Sequence, residues 1–257
     1  MSDVVEIIDP TVDASDYGNY ATFELEDGTE YSTLDWDFFR CGIEVSDPEV
    51  RRYEVRVPGR DGALDLTEAL GGRYFDDRTV TVRLRCVNGT EEKFHLLAST
   101  VRNAIEGRVC KIVLSADQGY FWKGRPTVDA EWKPLGASDV TISAKVAPYK
   151  YSVTSSYDPW LWDSFSFVDG VITDESDITL TGGTTSVSLP KDPARGKPTL
   201  WLNTGNARAR LSTDPNWHTL KSGANLIPEI RQSADGTVTL MLNGTGSVGI
   251  EYRIGSL

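Results

Sequence analysis

Alternation of apolar and polar residues at a period of two runs through most of this chain, and it predicts strands rather than helices. The stretch YATFELEDGTEYSTL (20–34) alternates on both sides of Asp27-Gly28, the residue pair of a tight hairpin turn. In RRYEVRVPG (51–59) Tyr53, Val55 and Val57 share one face, and Pro58-Gly59 ends the run. Further on, RTVTVRLRCV (78–87) sets Val80, Val82, Leu84 and Cys86 against a face of Thr and Arg, the pattern of a half-buried antiparallel strand. Between these two runs, LDLTEALGG (64–72) offers Asp65 as a helix N-cap with Glu68 three residues on, so one helical turn is expected before Gly71-Gly72.

One segment follows the helical period. After Asn88-Gly89, Thr90 can cap a helix in which Phe94, Leu97, Ala98, Val101, Ala104 and Ile105 form the apolar stripe. Glu91 and Glu92 lie at its positive end and Gly107 closes it. Strands are then expected in VCKIVLS, in an aromatic hairpin around Lys123-Gly124, and in DVTISAKVAPYKYSV. Near Tyr151 the texture changes, and TSSYDPWLWDSF (154–165) reads as a linker. Beyond it the segments GVITDESDITLTGG, KPTLWLNTG, ARARLST and GTVTLMLNGTGSVGIEYRIGSL predict short strands and a β-sandwich. The expectation is a mainly β protein of two domains, 1–152 with one α-helix and 153–257 without one.

Composition sharpens this picture. The chain has 257 residues, 39% of them hydrophobic, with 23 Gly and 12 Pro, which suits many strands and turns. No apolar run reaches the ~20 residues of a membrane span. The first residues, MSDVVEIIDP, lack the basic and apolar regions of a secretory signal, so cytoplasmic synthesis is expected. The net charge of −12 is unevenly placed: eleven acidic residues and no Lys or Arg precede Arg40, and the rest is nearly balanced. A sequence-specific reader of duplex DNA is disfavoured, because neutralising phosphates takes a basic face. Every basic residue from 40 to 92 is Arg, the better fork for interfacial ion pairs. Cys41, Cys86 and Cys110 cannot all pair, match no zinc spacing, and read as buried or unpaired thiols.

Catalytic chemistry is thinly represented. The two histidines, His95 and His218, stand in no metalloprotease, hydrolase or nucleotide-binding motif and read as surface and loop residues. Asp35 and Asp37 form a two-apart carboxylate pair beside aromatics, the residue types of a glycosidase, at a spacing too common to single them out. Asn88 and Asn243 begin Asn-Gly-Thr triplets and read as hairpin turns. Trp160, Trp162, Phe165 and Phe167 read as rings that fix the domain junction, with sugar stacking as the alternative. Trp217, beside Pro215 and Asn216, is the candidate exposed ring for a glycan contact. No catalytic residue, metal or cofactor is expected.

The segment VPGRDGALDLTEALGGRYFDDRTVTVRL resembles the Gly-Arg-Asp-Gly loop and central strand of the distal tail (Dit) proteins of long-tailed bacteriophages. AIEGRVCKIVLSADQGYFWKGR is similar to that family's helix, strand and aromatic hairpin, and VAPYKYS to its inter-domain junction. DPWLWDSFSFVDGVI and GTGSVGIEYRIGSL resemble the entry to its second domain and its last strand. The likeness covers most of residues 50–170 and the C-terminus. It implies an N-terminal β-sandwich or barrel of tail-tube type and a C-terminal galectin-like, carbohydrate-module-like β-sandwich.

The resemblance also implies a structural role at the virion tail tip, in a protein assembled in the bacterial host cytoplasm and without enzymatic activity. The expected homo-oligomer is a hexameric ring that joins the tail tube to the baseplate hub, and that can carry receptor-binding proteins. DNA would pass through its channel without specific binding, and no membrane is involved. A ring of this kind needs head-to-tail contacts that close by rotation. The candidate inter-subunit residues are Arg60, Asp61, Tyr74 and Arg78, within the excursion 58–78; the alternative is a loop folded on its own domain. Asp13, Asp16, Glu24, Glu26 and Asp27 are candidates for an acidic channel lining that repels phosphates. The reading from another class is a carbohydrate-binding protein acting through its second domain.

Overall fold

The computed structural model describes residues 19–36, 38, 40–69, 71–86, 90–134, 137–158 and 175–257. The protein is mainly β, with a single α-helix among the described residues. The chain divides into two compact units, 1–148 and 149–257.

The first unit is built on an antiparallel sheet. Its strands are β1 (Ala21–Leu25), β2 (Glu30–Ser32), β3 (Arg40–Val45), β6 (Arg78–Cys86), β7 (Cys110–Leu114), β8 (Asp117–Glu131) and β9 (Ser138–Val146). They lie in the order β2-β1-β7-β8-β9-β6-β3. A small separate hairpin, β4 (Glu54–Arg56) and β5 (Ala63–Asp65), interrupts the path from β3 to β6. The alternation in β6 acts as its sequence predicts: Val80, Val82 and Leu84 are buried while Thr79, Arg83 and Arg85 face solvent.

The helix α1 (Glu91–Ile105) begins where Thr90 accepts a bond from the Lys93 N–H and keeps Glu91 and Glu92 in its first turn. Phe94, Ala98, Val101, Ala104 and Ile105 are buried in one core with Phe23, Ile112, Trp122, Val140 and Ile142 of the sheet. Burying Phe94, Val101 and Ile105 contributes roughly 1.5–3 kcal/mol each, so this one-sided stripe, rather than helix propensity, fixes α1 on the sheet.

Two expectations for this unit are corrected. Lys123-Gly124 is not a turn: β8 runs straight through it, and Gly124 pairs with Cys110 on one side and Val146 on the other. A Cβ at Gly124 would stand 2.8 Å from the Val146 side chain, so close approach of strands requires the glycine there. The helical turn expected at 64–72 is also absent. Ala63–Asp65 is strand, and the Asp65 carboxylate accepts the Thr67 N–H at 2.9 Å, which closes a tight turn.

The second unit holds β10 (Lys150–Ser152), β11 (Ile178–Leu189), β12 (Thr199–Leu211), β13 (His218–Thr219), β14 (Gly223–Leu226), β15 (Val238–Glu251) and β16 (Gly255–Ser256). The main sheet runs β11-β15-β12-β13, with β14 also on β12, while β10 pairs with β16. KPTLWLNTG and ARARLST, expected as separate short strands, form the single strand β12. Asn243 likewise lies inside β15 rather than in a turn.

The long strands stay in step through bulges. β11 shifts register between Thr181 and Thr184, and β12 between Leu202 and Thr204, on either side of β15. Each bulge reverses the alternation once. As a result Leu180 and Leu189 of β11, and Leu200, Leu202, Ala207 and Ala209 of β12, join Leu240, Leu242, Val248 and Ile250 of β15 in one core.

Candidate interaction surface

The excursion between β3 and β6 forms an arm. Its root is a clasp in which Arg51 N–H donates to Tyr74 O at 2.8 Å and Asp76 N–H to Glu49 O at 2.9 Å. Arg51 and Asp76 pair across it at 2.8 Å, and Val50 bridges to Phe75. Beyond the clasp, β4 and β5 pair through Glu54 with Asp65, Val55 with Leu64 and Arg56 with Ala63. Tyr53 O accepts the Leu66 N–H at 2.8 Å, and Thr67 Oγ1 accepts the Tyr53 N–H at 3.1 Å. Gly59 and Gly62, both at positive φ, carry the chain round the tip.

The arm is ordered by its backbone and buries almost nothing. Among its described residues from Arg51 to Tyr74 none is fully buried. Tyr53 is 61% exposed, Val57 42%, Tyr74 42% and Val50 37%, which makes half of the large exposed hydrophobics among the described residues fall on this short segment. This exposed apolar surface makes the arm the candidate interaction surface of the first unit.

Of the candidate interface residues, Arg60 and Asp61 lie exposed at the tip and Tyr74 is exposed at the root. Arg78 is placed differently. It is 8% exposed, its guanidinium lies 4.7 Å from the centre of the Trp122 ring, and its Nε–H donates to Ser46 O at 2.6 Å. It braces the end of the arm against its own unit, and burial lowers its pKa.

The acidic candidates divide likewise. Asp13 and Asp16 lie outside the described residues. Glu24 pairs with Lys111 at 2.8 Å and Glu26 with Lys123 at 3.5 Å, while Asp27 accepts the Thr29 N–H at 2.9 Å and so holds its carboxyl below the usual range. Asp35 accepts the Ser32 N–H at 3.0 Å and caps a 3-10 turn, Thr33–Asp35; Asp37 lies outside the described residues. His95 stands 3.7 Å from Glu91 on the exposed side of α1. Among the described residues no group of three or more His, Cys, Asp or Glu could hold a metal ion, and no helix is long and apolar enough to cross a membrane.

Trp217 sits just before β13, beside Arg210 of β12. It is half-buried, with the guanidiniums of Arg208 and Arg210 at 4.8 and 4.9 Å from its ring centre. Arg208 Nε–H also donates to Asn243 Oδ1 at 3.1 Å, and His218 meets Asp214 at 3.5 Å. Trp160, Trp162, Phe165, Phe167 and Asn88 lie outside the described residues.

No family model and no curated protein sequence matches the chain. Among solved structures, the Dit protein (gp 19.1) of SPP1 superposes with a TM-score of 0.57 over 93% of this chain and 99% of its own, at 14% identity. This chain shares that protein's fold. The SPP1 Dit structure is described as a paradigm of the hub adsorption apparatus of phages that infect Gram-positive bacteria.

With that fold in place, the arm is an ordered hairpin set off from the main sheet. Its strength as a surface lies in Tyr53 and Val57, which the sequence marks only as one face of a strand. The turn chemistry of Pro58-Gly59 and Gly71-Gly72 marks where the excursion bends, but nothing in that alternation says that this face stays uncovered.

Proposed function

We propose that this chain is a structural, non-catalytic component of the tail tip of a long-tailed phage. Copies assemble side by side into a ring, six in number, between the tail tube and the baseplate hub. The first unit, of tail-tube type, builds the ring, and the galectin-like second unit leaves a flank for receptor-binding proteins. DNA passes through without sequence-specific contact. The observation that carries this reading is the fold shared with SPP1 Dit over nearly the whole of both chains.

The arm supports the same reading. Tyr53, Val57 and Tyr74 are apolar surface that one copy leaves uncovered, and Arg60 and Asp61 at the tip are available for charge-assisted bonds to a neighbour. Light scattering on the purified full chain tests assembly, and antibody labelling of virions tests location. A species of about six copies and label confined to the tail end are expected. A strict monomer at every concentration together with unlabelled tails would overturn the proposal.

A second reading, carbohydrate binding through the second unit, draws on the half-exposed ring of Trp217. The two guanidiniums beside that ring leave less of it for a sugar. A glycan array probed with the full chain separates the two: specific binding abolished by Trp217→Ala would establish this reading, and an array without signal would remove it.

A further inference from the structure

In the second unit, Asn243 of β15 lies between Thr184 of β11 and Arg208 of β12, its direct cross-strand partners. The register of β11 shifts just before Thr184, and Gly183 falls in the bulge. Asn243 Nδ2 donates to Gly183 O at 3.1 Å and to Thr184 Oγ1 at 3.3 Å, which leaves its Oδ1 facing β12. There it accepts the Arg208 Nε–H at 3.1 Å. Turning the amide over would set Oδ1 against the Gly183 carbonyl, so the neighbours determine its orientation.

Arg208 is thus held by the Asn243 bond and by the Trp217 ring, whose centre is 4.8 Å from its guanidinium. It is exposed all the same, and its two terminal amino groups donate to nothing among the described residues. Arg210 lies 4.9 Å from the same ring centre. Two positive charges therefore stand within ~10 Å of each other, about one Debye length at 0.1 M salt. Among the described residues neither pairs with a carboxylate. Arg210 donates through Nη1 to the main-chain oxygen of Asp214, whose own carboxylate meets His218 at 3.5 Å.

A guanidinium fixed through Nε presents its terminal amino groups as a flat fork, which fits two oxygens of a carboxylate or a phosphate. Like charges held together without a counter-charge are complemented by an anion from outside. The surroundings favour a saccharide over a polypeptide as its carrier. Asn206 and Thr245, both exposed, form the next cross-strand row on this face, and they offer an amide and a hydroxyl to sugar hydroxyls. None of the large exposed hydrophobics among the described residues lies on β11, β12 or β15, so the face lacks the apolar anchors of a protein contact.

We propose that this face binds a saccharide carrying a carboxylate or a phosphate, with its oxyanion seated on the fork of Arg208. The inference rests on the second reading above, carbohydrate binding through this unit, and names the class of sugar. Arg210 adds the second positive charge, Trp217 and Asn243 position Arg208, and the same guanidiniums that leave less of the ring for stacking select an acidic sugar over a neutral one.

The test is a glycan array probed with the full chain at low and high salt, holding uronate-bearing and phosphate-bearing saccharides beside their neutral parents. Binding to acidic members and not to their neutral parents is expected, weaker at high salt. A response to uronates alone identifies a carboxylate, and one to phosphates alone a phosphate. Arg208→Ala should abolish the signal. Arg208→Lys keeps the charge but loses the fork, and should weaken binding roughly tenfold or more. Melting curves matching the parent's show that both variants fold, as an exposed side chain allows. Neutral parents bound equally well, with binding that survives in Arg208→Ala, would leave the second reading standing and overturn the acidic ligand. Polyglutamate bound as tightly as the acidic saccharides would also overturn it, and an array silent throughout would remove both.

Discussion

Gly205 of β12 and Gly246 of β15 are direct cross-strand partners, and neither has room for a side chain. A Cβ on Gly205 would stand 2.0 Å from the Thr245 carbonyl oxygen, and one on Gly246 would stand 2.0 Å from that of Thr204. Both have positive φ, 81° and 113°. The pair sits at the level of the β12 bulge, where the alternation reverses so that both halves of the strand reach one core. Gly205→Ala must either push the strands apart or force left-handed backbone on a residue that resists it. The expected cost is about 3 kcal/mol or more. In calorimetry the second unit should melt roughly 12 °C or more lower.

The arm predicts the opposite signature, a change in assembly without a change in folding. Tyr53 and Val57 are exposed in the single chain, so Tyr53→Ser with Val57→Ser should alter the unfolding free energy by no more than about 0.5 kcal/mol. If the arm seats on a neighbour, the same double variant, or Arg60→Ala with Asp61→Ala, should lower the mass seen by light scattering towards that of one copy. A variant that keeps its full assembly mass would show that the arm is not the contact.

Much of this architecture can be read in the chain before folding. The stripe of Phe94, Ala98 and Val101 fixes α1, and the alternation of Val80, Val82 and Leu84 fixes β6, because each pattern suits one period only. Glycine is where reading fails. Gly124 and Gly205 have the residue type of a turn, yet each lies mid-strand where a neighbouring strand comes too close for a Cβ, and that proximity is a tertiary fact. Asp65 misleads for a different reason. An Asp side chain accepting a nearby N–H begins a helix or a tight turn equally well, and the outcome depends on whether the following residues find a core.

Arg78 could have been placed from parity. It shares the inward face of β6 with Val80 and Val82, and the structure turns it under Trp122 with its Nε–H on Ser46 O. Arg78→Ala removes the ring contact and leaves the Ser46 carbonyl without that donor. A loss of about 2 kcal/mol is expected in denaturant unfolding. Arg78→Lys should recover less than half, because an ammonium lacks the flat surface that lies on the indole. Full stability in Arg78→Ala would mean that the ring contact is incidental.

Glu175 makes the second unit's stability depend on pH. Its main chain is fixed at both ends: its N–H donates to Ser156 O at 3.0 Å, and its carbonyl accepts the Ile250 N–H at 2.8 Å. Burial pushes its carboxyl up to about 7, and a hydrogen bond from Tyr252 opposes that rise only partly. The folded-state pKa is thus above the ordinary carboxylate value of the unfolded chain. A raised pKa means that the folded form holds the proton more tightly, so its contribution is complete below about pH 4.5 and is lost as pH rises through about 7. Glu175→Gln carries no charge at any pH. Relative to the parent, its urea midpoint should be level below about pH 4.5, become progressively higher between about pH 4.5 and pH 7, and keep a constant lead above that. A difference between the two proteins that is constant across that window would mean that Glu175 does not titrate there.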